Sequence, residues 1–294
     1  MHSQDQISRI QRTTNTLYDL RDHTDVLFCK EIADFLIEKA GGAEGLRIST
    51  QEFMALVVSR FVTNQGLIKL MADKFGKDLQ IIELGAGFTP HFLNLSTEIG
   101  KYIEIDFEMN SELKREVTGT FTEKTNIIFV AGDFLLEETW IEIGKHIDLS
   151  KPVLIFSEGV VAQYFNAEQK SMIAHLARQV LIAEGSCFVI DDTLRNHSEL
   201  HSNPIILEGM NRIATQSGSA VYNKETSTFA RELENWNKLF DNTIYTIDYI
   251  LSKPDMDFAL KAFKLIICAN DPKRELEPLI LEQSKQNTKD RIWK

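Results

Sequence analysis

The chain has 294 residues, of which 43% are hydrophobic and 26% charged, in the range of a globular protein with a sizeable core rather than a disordered or fibrous one. Its 32 Lys and Arg against 43 Asp and Glu give a net charge of −11, so nucleic acid and anionic membrane are not favoured partners. Cys29, Cys187 and Cys268 are too few and too scattered for a disulfide framework or a Cys-x-x-Cys metal site, and no metal is expected.

The N-terminal stretch MHSQDQISRIQRTTNTL is too polar for a secretory signal, and no run reaches the ~18 apolar residues of a membrane helix. A cytoplasmic protein is the expectation. Residues 1–75 read as a helical cap. The segment 25–42 repeats apolar residues at helical spacing and ends at Gly41-Gly42. QEFMALVVSR and NQGLIKLMADKFG give two further helical patterns.

From residue 76 to 270 the pattern becomes alternating. LQIIEL (79–84), KYIEID (101–106), TNIIFVAGD (125–133), PVLIFSE (152–158) and SCFVIDD (186–192) are short β-branched runs. Helical stretches separate them: PHFLNLSTEIG, NSELKREVTGTF, LLEETWIEIGKHI and NAEQKSMIAHLARQVLIAEG. The last opens on Asn166 as N-cap, with Gln169 three residues on and Gly185 after its end. Such alternation is the signature of a mostly parallel sheet with helices on both faces. Residues 193–235 read as a polar insertion over one end of the sheet. DNTIYTIDYIL (241–251) and ALKAFKLIICAN (259–270) read as two final strands, and 271–294 as a charged tail.

Ligands of an open α/β sheet bind outside the carboxyl ends of the strands. All five early strands carry an acid there: Glu83, Asp106, Asp133, Glu158 and the pair Asp191-Asp192. Such a rim suits hydroxyl, amine and cationic groups and is hostile to phosphate. Gly85-Ala86-Gly87 supplies a tight turn and close backbone approach. Pro90 stands where a dinucleotide fingerprint needs a small residue, although proline can also open a helix. Asp106, 21 residues after Gly85, is spaced to hold ribose hydroxyls. A nucleoside without phosphate, carrying an ammonium and a sulfonium, fits this set best: S-adenosylmethionine. Glu83 or Arg60 would hold its amino-acid end, Asp133 would accept from the adenine amine, and Phe134 would cover the ring.

IIELGAGFTP, KYIEIDF, VAGDF and SEGVVAQYF, in that order and spacing, resemble the leucine carboxyl methyltransferase family, a class I group dependent on S-adenosylmethionine. The upstream SRFVTNQGLIKLM resembles the family helix whose arginine binds the cofactor carboxylate. The resemblance implies a class I methyltransferase fold: a Rossmann-like, mostly parallel seven-stranded sheet with the final strand antiparallel. It implies the cofactor residues Arg60, Gly85, Asp106, Asp133, Phe134 and Glu158. It implies methyl transfer to a carboxylate or hydroxyl of a small molecule, or to a protein C-terminal carboxylate. On the substrate side it points to Tyr164, one residue beyond the family's usual tyrosine position, and to Arg12 as the N-terminal basic residue. Thr89-Pro90-His91 stands where many bacterial relatives have Asp-Thr-Arg. Tyr164, His197, His201 and Asp192 are candidates should the acceptor need a base. A nicotinamide oxidoreductase and a cofactor-binding protein without catalysis are the competing classes.

Overall fold

The computed structural model describes residues 17, 27–42, 51–161, 165–194, 236, 243–248 and 263–289. In chain order these form α1 (Cys29–Lys39), α2 (Gln51–Phe75), β1 (Gln80–Leu84), β2 (Lys101–Asp106), α3 (Glu108–Gly119), β3 (Ile127–Ala131), α4 (Glu137–Gly144), β4 (Val153–Ser157), α5 (Ala167–Arg178), β5 (Cys187–Leu194), β6 (Thr243–Asp248), β7 (Phe263–Ala269) and α6 (Glu277–Lys289).

The seven strands lie in the order β3-β2-β1-β4-β5-β7-β6. β1 to β5 pair in parallel, and β7 runs antiparallel to both β5 and β6. This is the expected mixed α/β sheet. The order reverses between β1 and β4, and the crevice outside their carboxyl ends is where such a sheet takes a ligand.

Period-two alternation splits β1 between the faces. Ile81 joins a cluster that also holds Ile32 and Leu36 of α1, Phe61 and Ile68 of α2, Val117 of α3 and Ile280 of α6. Ile82 and Leu84 join a second cluster with Trp140 and Ile143 of α4, Ile173 and Leu176 of α5, and Trp236. The N-terminal helices therefore share one core with the sheet.

Four expectations need correction. QEFMALVVSR and NQGLIKLMADKFG belong to one continuous helix, α2, buried on nearly every side along its middle. PHFLNLSTEIG forms no helix: the chain turns at 91–94, where Asn94 donates its side-chain amide to Pro90 O and Leu27 O. Pro90 thus starts nothing, and Phe92, Leu95 and Ile99 serve as core contacts without helical phase. The run from Asn166 is helical only to Arg178. Gly185 (φ +85°) lies where an added Cβ would sit 2.7 Å from the Phe75 ring, so it permits a close crossing rather than ending the helix. The charged tail contains α6, which docks through Ile280 and Gln283, with Leu276 buried just before it. The insertion expected at 193–235 lies outside the described residues, save for the end of β5 at Leu194.

Candidate functional site

The loop after β1 turns its own donors inward. The N–H groups of Gly85 and Ala86 both donate to Ile105 O, at 2.8 and 3.1 Å. Gly87 N–H donates to Asp106 Oδ2 at 2.7 Å, and Thr89 N–H to Ala86 O. Gly85 (φ +65°) and Gly87 (φ +50°) hold the left-handed conformations that allow this. A phosphate cradle needs free backbone amides or a helix N-terminus. This loop lacks the helix, and the amides of Gly85, Ala86, Gly87 and Thr89 are already engaged.

Asp106 ends β2 half-buried. Oδ1 accepts from Phe107 N–H at 2.7 Å and Asn110 Nδ2 at 2.9 Å, while Oδ2 accepts from Gly87. Burial pushes its carboxyl above the usual range, against the pull of those donors. A carboxylate offers about four acceptor positions, so Oδ2 keeps room for one hydroxyl donor.

Glu83 has a different post from the one expected. It is 0% exposed, with Oε1 accepting from Thr89 Oγ1 at 2.8 Å and Oε2 from Tyr102 OH at 2.7 Å. It pins the glycine loop from below and presents no oxygen to the crevice. Its register partner Glu104, also buried, pairs with Lys114 Nζ at 3.1 Å, and Lys114 donates to Thr89 O. Burial raises both carboxyls, Glu104 to about 8. Two side-by-side acids with one lysine keep a proton near neutral pH.

The ends of β4 and β5 meet α2. Arg60 lies with Nε 3.4 Å from Glu158 Oε1 and 3.8 Å from Asp191 Oδ2. Asn64, one turn on, donates to Glu158 Oε2 at 3.2 Å and Asp191 Oδ2 at 3.3 Å. Gly159 N–H donates to both Asp191 oxygens at 3.0 and 2.9 Å. His91 Nε2 lies 2.7 Å from Glu158 Oε2. Burial pushes Glu158 up, but the charges and hydrogen bonds of His91, Arg60 and Asn64 outweigh it and hold the carboxyl below its usual value. The acids of the strand ends therefore do not form an open anionic rim: α2 brings a guanidinium among them, a cation the strand-end inventory could not contain.

At the β3 end, Asp133 Oδ1 accepts from Leu135 N–H at 2.9 Å, leaving its side chain half-buried. Phe134 is 8% exposed, packed at 5.6 Å against Phe165 in the second core cluster. Among the described residues, the aromatic side chain that stands open at the strand ends is Phe107, 67% exposed, immediately after Asp106. Tyr164, Arg12, His197 and His201 lie outside the described residues, as does the side chain of Asp192.

Sequence reasoning missed Phe107, His91, Asn64 and Gln65. The available signal was Ser59-Arg60, Thr63, Asn64 and Gln65, a polar run inside an apolar helix, all of it buried. Among the described residues, Ser59 Oγ, Asn64 Oδ1, Gln65 Nε2 and Ser157 Oγ are buried without a hydrogen-bond partner. Each such atom costs about 1–3 kcal/mol unless something meets it.

No family model and no curated protein matches the chain. Among solved structures, a presumed methyltransferase from Thermobifida fusca superposes with a TM-score of 0.57 at 14% identity, covering 88% of this chain and 94% of its own. A DUF574 family protein from Streptomyces avermitilis superposes with a TM-score of 0.57 at 12% identity, covering 88% and 97%. The chain shares their fold. Among the described residues no helix is long and apolar enough to cross a membrane, and no group of three His, Cys, Asp or Glu is arranged for a metal ion.

Proposed function

We propose that this chain is an S-adenosylmethionine-dependent methyltransferase acting on a carboxylate or hydroxyl of a small molecule. The observation that carries the reading is the glycine loop with its amides turned inward and no helix behind it. It offers a ligand close approach but no phosphate cradle, which favours a nucleoside over a dinucleotide.

The residues present fit that cofactor. Asp106 Oδ2 would take a ribose hydroxyl, and the open Phe107 ring, in place of the buried Phe134, would lie against the base, with Asp133 at its edge. Arg60 would receive the carboxylate. Asn64 Oδ1 is an acceptor suited to the ammonium beside Glu158, and Gln65 Nε2 is a donor with no other partner among the described residues. Gly85, Ala86 and Gly87 would let the sulfur approach the backbone. When bound, the cofactor supplies an electrophilic methyl carbon on a sulfonium. The protein's contribution is to hold an acceptor oxygen in line with that carbon and to exclude water. A carboxylate acceptor needs no base; a hydroxyl acceptor needs one near neutral pKa, for which Tyr164, His197, His201 and Asp192 are the candidates. The helices before residue 76 and the segment 193–235 are proposed as cap and roof, with Tyr164 and Arg12 on the acceptor side. Three free buried thiols suit a reducing, cytoplasmic setting.

Calorimetry with S-adenosylhomocysteine tests the cofactor. Binding by the natural protein, and a loss of tenfold or more in Asp106→Ala, is expected for a residue that contacts the ligand. Absence of binding by the natural protein overturns the reading. Transfer of radiolabelled methyl to a panel of carboxylates and hydroxyls then separates an enzyme from a binding protein.

A further inference from the structure

His91 occupies a position that the proposed chemistry has not used. It is wholly buried. Its ring lies flat on Phe61 of α2, with centroids 4.2 Å apart and planes 10° apart, and meets Phe156 of β4 edge-on at 5.3 Å. Nε2 is 2.7 Å from Glu158 Oε2, and Nδ1 is 2.7 Å from Gln65 Oε1. One imidazole thus ties together the glycine loop, the middle of α2 and the end of β4. Glu158, whose Oε2 His91 engages, turns its Oε1 to Arg60 at 3.4 Å. A chain of contacts runs from His91 through Glu158 to the guanidinium.

We propose that His91 is a positioning residue for the amino-acid end of the methyl donor: by fixing Glu158 it fixes Arg60. This rests on the reading of Arg60 as the carboxylate ligand. His91 itself touches no ligand, because its ring is enclosed by Phe61 and Phe156 and both nitrogens are engaged. An apolar replacement would leave Glu158 with one donor fewer in a dry site, free to turn and to draw Arg60 with it. Outer partners that orient a ligand-holding group commonly alter affinity about 10- to 100-fold, as they do in metal sites.

The test uses two ligands that differ only where His91 acts. S-adenosylhomocysteine carries the amino-acid end; 5′-deoxy-5′-methylthioadenosine keeps the nucleoside and the thioether but lacks it. In His91→Ala, affinity for the first is expected to fall about 10- to 100-fold, with affinity for the second unchanged. His91→Gln, whose amide can donate to Glu158, is expected to restore most of the loss. Equal losses for both ligands would make His91 a mere structural support, and no loss for the first would leave it idle; either overturns the proposal. If His91→Ala does not fold, His91→Leu, nearer the imidazole in volume, removes the Glu158 contact without opening a cavity. It is expected to give the same selective loss, and an unselective or absent loss counts against the proposal. A natural protein that binds neither ligand refutes the cofactor reading instead. One that binds both equally well refutes the role of Arg60.

Discussion

Gly159→Ala separates backbone strain from ligand geometry at one position. Gly159 sits at φ +69°, and its N–H holds both oxygens of Asp191. A residue with a Cβ in that conformation loses about 1–2 kcal/mol. For a chain of this size, at about 2 °C per kcal/mol, the melting temperature should fall by about 2–4 °C. The new Cβ would lie 2.9–3.0 Å from three atoms of the Arg60 guanidinium, which must retreat by about half an ångström to reach ordinary contact at 3.4 Å. That movement adds little to the stability loss, since the guanidinium ends a flexible side chain. It should, however, carry Arg60 away from its ligand position. Misplacement of a binding group on this scale is worth about tenfold in affinity. Scanning calorimetry and titration with S-adenosylhomocysteine, on the same preparation, read the two effects independently. A fall in melting temperature with unchanged affinity would refute the role given to Arg60. An unchanged melting temperature would refute the strain argument.

Glu104, lifted by burial to about 8, titrates higher in the folded protein than at its ordinary 4.5. Its contribution to stability is therefore complete below about pH 4.5 and is lost as pH rises through about 8. Glu104→Gln should flatten the decline of melting temperature between about pH 5 and about pH 9, and parallel curves would contradict the assignment. Asn166 caps α5 in a reciprocal capping box with Gln169, so Asn166→Ala should cost about 1 kcal/mol, or about 2 °C by thermal unfolding. Burial pushes the Cys187 thiol up to about 12 and raises those of Cys29 and Cys268 as well. At about pH 8 the folded protein should resist thiol reagents and denaturant should release three reactive groups; rapid labelling of the folded state would contradict the burial.

The sheet was legible because its signal is local. β2 runs over the six residues that KYIEID announces, and the Asn166 cap depends on four residues of sequence. Contacts between distant residues were not legible. PHFLNLSTEIG has helical composition, yet Pro90 and the side-chain amide of Asn94 hold a turn there, and the apolar residues reach the core without helical phase. The candidate site divides in the same way. Asp106 and the glycines stand where spacing puts them. Strand-end acids could be listed from sequence, and the resemblance pointed to Arg60, but not the fact that Asn64 would be brought among them from about 100 residues away, nor that Glu83 would be spent on Thr89 and Tyr102. Exposure, not residue type, distinguishes Phe107 from Phe134, and exposure is a property of the folded chain.

The polar atoms stranded in the middle of α2 and at the end of β4 bear on how the protein meets its ligand. Asn64 Oδ1 and Gln65 Nε2, buried without a hydrogen-bond partner among the described residues, each carry a cost of about 1–3 kcal/mol. A molecule that satisfies those atoms removes the penalty and binds only the folded state, so it acts as a final element of the fold. Hydrogen exchange along α2 should then slow on saturation well beyond the residues in direct contact. The centre of the longest described helix is then where ligand binding would be read most directly.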